Sequence, residues 1–206
     1  MSNNGWYGEF SDVDMSTPEN VFYASLRQFM GAKSFCTIVR VVSVTASDGG
    51  SAGFVDIIPL VTMLDGAGNV VQPTTIYNAP FSRLQGGSSA IVIDPTVGDL
   101  GIALFADRDI SSVKMSKKSS PPGSRRRNSS ADAIYLGGLL NGTPSQYIRF
   151  INGGSGIEIK SPGNVDINGL KVLSDGRLQL VDGSIVDKHT HGGVESGGSN
   201  TSPLGG

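Results

Sequence analysis

The stretch that decides the fold is GIEIKSPGNVDINGLKVLSDGRLQL, residues 156–180. Apolar side chains occupy alternate positions in short runs, as Ile157 and Ile159 do, and this period of two is that of a half-buried β-strand. Turn pairs such as Asn168 and Gly169 separate the runs at intervals shorter than the roughly 8–12 residues usual in a β-sandwich. The pattern therefore predicts a slender β-helix or β-prism with one short strand per face.

A single chain cannot bury the apolar side chains of this pattern. Residues 136–186, which we assign to the β-helix, number only about 50, too few to enclose a core of their own. The edges of such short strands would also remain unpaired. In a symmetric oligomer the apolar side chains of several chains face a shared axis, and strand edges pair between chains. We predict an intertwined homotrimer, because threefold symmetry fits a prism with three faces.

Residues 32–110 contain longer runs rich in Val, Ile, Thr and aromatic residues, the composition of β-strands. Five strands joined by hairpin turns favour an N-terminal oligonucleotide/oligosaccharide-binding (OB) barrel, and a small sandwich fits the same pattern. The chain is thus predicted to be all-β apart from one short N-terminal helix. The predicted strands are 35–45, 54–64, 70–77, 91–93 and 100–105.

The helix is predicted within residues 1–31. Ser16 and Glu19 have the spacing of a capping box, and Pro18 lies near the first helical position. Apolar residues recur at helical spacing as far as Met30, and Gly31 is a natural end. Two hypotheses remain open for this helix: it packs on its own domain, or it docks a partner at the base of the assembly.

Residues 111–135 are predicted to be a basic loop or linker. Six cations lie in SSVKMSKKSSPPGSRRRNSS, residues 111–130, with almost nothing apolar. The rest of the chain has ten basic and eighteen acidic residues, so its formal charge is about −8. The six cations could contact phosphates or an acidic surface, but base stacking needs aromatic residues, which this stretch lacks. We therefore predict a mobile solvated loop and no binding of nucleic acid.

Composition excludes several other classes of protein. The chain has 206 residues, a formal charge of −2, and 29 glycines, roughly twice the usual share. No apolar run reaches the ~18 residues that a membrane helix requires. The N-terminus lacks the features of a signal peptide, and Cys36 is the only cysteine, so we expect synthesis in a reducing cytoplasm.

The two histidines of the chain, His189 and His191, lie two positions apart within residues 187–206. In an extended backbone both imidazoles point the same way and can bind one metal ion. On a threefold axis, three chains would supply six nitrogens in a closed octahedral site, with no open position for a substrate. The alternative is a glycine-rich tail with two solvated histidines.

The same residues allow a weaker enzyme hypothesis. Gly183, His189, His191 and Glu195 match the opening of the cupin metal motif. A cupin site needs a further histidine, which this sequence does not have. We see no nucleophile motif or phosphate-binding loop elsewhere in the sequence, so no enzymatic activity is predicted.

Several stretches together resemble the central spike, the cell-puncturing tip protein, of contractile-tailed bacteriophages. The stretches similar to the end of the OB domain in such spikes, and then to their apex, are FADRD (105–109), PPGSRRRN (121–128), DAIYLGGL (132–139), KHTHGGV (188–194) and GSNTSP (198–203).

This resemblance implies a homotrimer in the virion, at the tip of the tail baseplate. It also implies that His189 and His191 of three chains hold one iron ion at the apex. The base would attach to the trimeric tail hub, and sheath contraction would drive the apex through the host outer membrane. Two other classes remain open: a glycan- or lipopolysaccharide-binding baseplate adaptor, and the cupin-like metalloenzyme.

Overall fold

The computed structural model describes residues 13–31, 33–45, 53–64 and 69–186. The chain divides into two compact units, Met1–Asn141 and Gly142–Gly206. Most of the regular structure is β-strand, which confirms the predicted all-β class. Neither helix among the described residues is long and apolar enough to cross a membrane.

The predicted N-terminal helix is present as α1, Pro18–Gly31. Its cap is Thr17, whose Oγ1 accepts a hydrogen bond from the Asn20 amide at 3.2 Å. The capping box predicted from Ser16 is therefore wrong by one position. Ser16 instead donates its hydroxyl hydrogen to the carbonyl of Val13 at 2.6 Å.

Nine strands and one further helix complete the described part of the N-terminal unit. Five of the strands form one sheet, and the other four form two small hairpins. In chain order these elements are β1 (Cys36–Thr45), β2 (Phe54–Pro59), β3 (Met63–Leu64), β4 (Val70–Val71), β5 (Ile76–Pro80), β6 (Leu84–Gly86), β7 (Ser89–Ile91), β8 (Leu100–Phe105), α2 (Ser111–Ser116) and β9 (Ala133–Gly137).

The main sheet has the order β5-β2-β1-β8-β9, and every pair within it is antiparallel. Phe81, just beyond β5, forms a parallel bridge with Tyr135 of β9. The Ser82 amide also donates to the Tyr135 carbonyl at 3.0 Å. The two outer strands are thus joined, and the sheet closes on itself with no free edge along this contact.

The core lies inside this closed sheet. Alternate residues of β1 and β2 are fully buried, as a period of two requires. Tyr135 is the largest of the fully buried side chains. The core residues are Val39, Val41, Val55, Ile57, Ile76, Ala79, Phe81, Ala103, Ala133 and Tyr135.

The ring of Tyr135 packs against Gly101, where a larger residue would not fit. A Cβ atom at position 101 would lie 2.4 Å from the Leu136 carbonyl oxygen and 2.6 Å from a ring carbon of Tyr135. We expect Gly101→Ala to lower the free energy of unfolding by about 2–3 kcal/mol, measured by urea denaturation. Gly86→Ala is the control, since nothing lies within 4 Å of a Cβ atom there. Equal losses in the two variants would contradict this account of the core.

The strand prediction for this unit was right for β1, β8 and the part of 54–64 that forms β2, and wrong elsewhere. The end of 54–64 is a separate strand, β3, and the predicted strand 70–77 is two strands, β4 and the start of β5. Ile91 belongs to a hairpin of β6 and β7 outside the main sheet. The fifth strand of the sheet is β9, which the sequence analysis had placed around the end of the linker. Its short apolar run, AIYLG, directly follows a polar stretch, so the period of two is too brief to stand out.

The C-terminal unit consists of short hairpins at the predicted positions. Its strands are β10 (Tyr147–Phe150), β11 (Ile157–Lys160), β12 (Val165–Ile167), β13 (Leu170–Val172) and β14 (Leu178–Gln179). The turn between β12 and β13 has Asn168 at φ 52° and Gly169 at φ 90°. Positive φ at two successive residues is typical of a tight two-residue hairpin, and the sequence Asn-Gly favours it.

Candidate functional site

The predicted metal ligands, His189 and His191, lie outside the described residues. Within the residues that are described, no group of three or more His, Cys, Asp or Glu side chains could hold a metal ion. The metal site therefore stays a prediction. Three other features of the structure are candidates for function, one in the C-terminal unit and two in the N-terminal unit.

The first is an open apolar face on the β10–β11 hairpin. Ile148 pairs directly with Ile159, and Phe150 with Ile157, so all four side chains project from one face. Their exposed fractions are 66% for Ile148, 73% for Phe150, 60% for Ile157 and 54% for Ile159. We call these four residues the β10–β11 apolar face.

The opposite face of this hairpin is polar and internally paired. The Tyr147 hydroxyl donates to Glu158 at 3.0 Å, and Arg149 forms an ion pair with the same carboxylate. The hydrogen bond from Tyr147, together with the charge of Arg149, lowers the pKa of Glu158 below its usual value. The hairpin thus has a satisfied polar face suited to water and an apolar face left uncovered.

The three-stranded sheet β12–β13–β14 also gathers apolar side chains on one face, but Val165 and Val172 there are only partly exposed. Val165 pairs with Val172, and Val172 with Leu178, which places a row of apolar side chains on one face. Asp166 and Lys171 pair on the other face. Between residues 142 and 186 no residue is buried. An isolated two-stranded hairpin is marginally stable in water, so the uncovered β10–β11 apolar face is a candidate interaction surface.

The second candidate is residues 111–130, which we call the basic segment. The sequence predicted a loop or linker here, and the structure adds one short helix to it, with no helix or strand at positions 117–129. The segment starts with α2, and its Lys114 Nζ donates to the Asn78 carbonyl at 3.2 Å. It ends in a single 3₁₀ turn, Ser130–Asp132, which leads directly into β9.

Arg126 anchors the basic segment to two buried carboxylates. Its guanidinium lies 3.0 Å from Asp109 Oδ2 and 3.2 Å from Asp132 Oδ1. The side chains of these aspartates are only 2% and 1% exposed. Hydrogen bonds from Ser111 and Ser124, with a smaller effect of the Arg126 charge, hold the pKa of Asp109 well below its usual value. One of the six cations is therefore used to fix the segment in place.

Sequence analysis did not single out Asp109 or Asp132. No spacing motif links them to Arg126, since the three residues come together only when β9 joins the sheet. The only signal for this contact in the sequence was indirect. Asp109, Arg126 and Asp132 each lie in one of the stretches 105–109, 121–128 and 132–139, which resemble the end of the spike OB domain.

Four other cations of the basic segment, Lys117, Lys118, Arg125 and Arg127, are exposed. Among the residues the structure describes, none of these four side chains forms an ion pair. Met115 lies close to them in sequence and is 84% exposed. The segment therefore presents positive charge together with apolar surface.

The helix α1 also leaves an apolar face open. Phe22, Leu26, Phe29 and Met30 recur on one side of the helix and are all exposed. Only Ala24 is buried within the helix. A helix of 14 residues gains most of its stability from packing, so this exposure favours the hypothesis that α1 docks a partner.

Comparison of the sequence with protein-family models and with curated proteins finds no match.

Proposed function

We propose that this protein is the structural, membrane-piercing central spike at the tip of a contractile phage tail. The observation that carries the proposal is the C-terminal unit, which exposes the β10–β11 apolar face and has a partly exposed apolar face on β12–β14. A row of short strands with one uncovered apolar face is what an intertwined trimeric β-helix would bury along its axis.

The topology of the N-terminal unit supports an OB domain at the base. An OB fold is a five-stranded barrel, and its first strand lies between the second and the fourth while the third and fifth meet in parallel. The order β5-β2-β1-β8-β9, with its parallel bridge between Phe81 and Tyr135, fits that connectivity. The open face of α1 supports attachment of this base to the trimeric tail hub.

In this proposal His189 and His191 of three chains hold one iron ion at the apex. Iron would act there as a clasp between chains, because six histidine nitrogens leave no position for a substrate. The function is mechanical and no catalysis is proposed. Sheath contraction supplies the work, and the spike resists unfolding because many interchain hydrogen bonds must break together as it enters the outer membrane.

Native mass spectrometry of the full chain tests the proposal. We expect a homotrimer with one tightly bound iron ion. The double variant His189→Ala/His191→Ala should remain trimeric, lose the metal, and become more susceptible to proteolysis in its last twenty residues.

A metal-free monomer would overturn the spike proposal and leave the glycan-binding adaptor as the alternative. A trimer whose iron is unaffected by the double variant would instead refute the apex site alone. Unchanged protease resistance in a metal-free double variant would refute the clasp role of the metal.

A further inference from the structure

We propose that the basic segment, residues 111–130, is a preformed platform that binds the phosphate groups of an anionic lipid bilayer. The inference rests on the geometry of this segment and does not depend on the trimer, the histidines or the spike proposal.

The platform is held at two points by contacts with the rest of the N-terminal unit, through Lys114 and Arg126. Arg126 is held by the two buried carboxylates of Asp109 and Asp132, which ties the C-terminal part of the segment to the N-terminal unit. Gly123 lies close against this anchor, since a Cβ atom there would be 2.3 Å from Ser111 Oγ. An ordered segment loses less conformational entropy on binding than a mobile loop would.

The exposed cations suit phosphate groups on a surface. Four exposed cations lie on either side of Arg126 in the sequence: Lys117, Lys118 and Arg125 before it, and Arg127 after it. The rest of the chain is acidic, since the six cations of the segment account for the difference between about −8 and the formal −2. Attraction to an anion is therefore local to this segment and acts over about one Debye length.

Apolar surface within the segment favours a bilayer over other anions. Val113 and Met115 are exposed beside the lysines, and Pro121 and Pro122 are exposed before the arginines. Cations mixed with exposed apolar side chains are typical of surfaces that sit at the membrane interface. Nucleic acid is less suited, because the segment contains no aromatic residue on which a base could stack.

Vesicle flotation of the full chain tests this platform. Probe vesicles contain equal parts of phosphatidylglycerol and phosphatidylcholine, and pure phosphatidylcholine vesicles are the neutral reference. The triple variant Lys117→Ser/Lys118→Ser/Arg127→Ser should bind the anionic vesicles about a hundredfold more weakly, since each cation near such a surface contributes on the order of 1 kcal/mol. Binding by the native chain should also fall as salt is raised.

The matched control is Arg40→Ser/Arg108→Ser/Lys160→Ser, which removes three exposed cations outside the segment and gives the same net charge. It should bind as the native chain does. Equal loss in both variants, equal binding to neutral vesicles, or no binding would overturn the proposal. Complete competition by millimolar inorganic phosphate would also overturn the proposal, because it would indicate a site for free anions. Binding to single-stranded DNA or polyglutamate that is tighter than binding to the anionic vesicles would overturn it as well. Native mass spectrometry of both variants reports separately on the trimer.

Discussion

Replacing Ile148 and Ile159 together with Asn is expected to abolish trimer formation. These residues form one of the two cross-strand pairs of the β10–β11 apolar face, and each is more than half exposed in the single chain. Two amides placed at a dry interface between chains would be left without hydrogen-bond partners, at a cost of about 1–3 kcal/mol for each polar group. Threefold repetition multiplies this loss in every trimer. Size-exclusion chromatography with light scattering measures the outcome.

The control variant is Arg149→Asn/Lys160→Asn, which changes two residues on the polar face of the same hairpin. It removes an exposed ion pair with Glu158, which contributes little to stability, and should leave the trimer intact. A stable trimer of the Ile148→Asn/Ile159→Asn variant would mean that this face is not the interface. Dissociation of both variants would mean that trimer formation depends on the hairpin but not specifically on its apolar face.

Replacing Arg126 with Met is expected to lower the melting temperature by roughly 10 °C. The methionine keeps much of the aliphatic packing but leaves Asp109 and Asp132 buried without their cation. The loss should shrink as the pH falls. Hydrogen bonds from Ser111 and Ser124, which remain in the variant, lower the pKa of Asp109 most, and the Arg126 charge lowers it further by a smaller amount. Only that smaller share of the native stability is lost as acid protonates Asp109, so this change with pH should be small. Differential scanning calorimetry at pH 7 and at lower pH measures both effects.

Arg127→Met is the matched control, because Arg127 is adjacent and exposed. Its melting temperature should stay within about 2 °C of the native value. Adding Asp132→Asn to Arg126→Met should recover part of the loss, since one buried charge is then removed. Similar losses for Arg126→Met and Arg127→Met, or no recovery in the double variant, would refute the anchoring role of Arg126.

The C-terminal unit was predictable because its signals are local. Each apolar pair is set by the period of two, and each turn by residues such as Asn168 and Gly169, so strand positions follow from nearby sequence. The period of two also indicated which apolar side chains share a face, and these include the side chains that the structure leaves uncovered. In the proposed trimer other chains cover them, and the sequence indicates this only through symmetry arguments and the resemblance.

The N-terminal unit was predictable only in part, because its decisive contacts join distant residues. β9 becomes a strand by pairing with β8, although its own five residues give a weak signal. The anchor at Arg126 depends on that pairing, so the basic segment looked mobile from sequence alone. Asp109 and Asp132 looked like ordinary surface carboxylates, since burial of a charge cannot be recognised without its partner.

The parallel bridge between Phe81 and Tyr135 has a consequence for the order of folding. The two residues are 54 positions apart in sequence, from 81 to 135, and the sheet cannot close until both are available. A ribosome must therefore release the whole basic segment before the N-terminal unit completes its hydrophobic core, and until then the edge of β8 is open to pairing with other nascent chains. The C-terminal hairpins pair only with neighbours in sequence and can form in microseconds once released. Closure of the N-terminal sheet, with its long loop, is then the slower step within each chain.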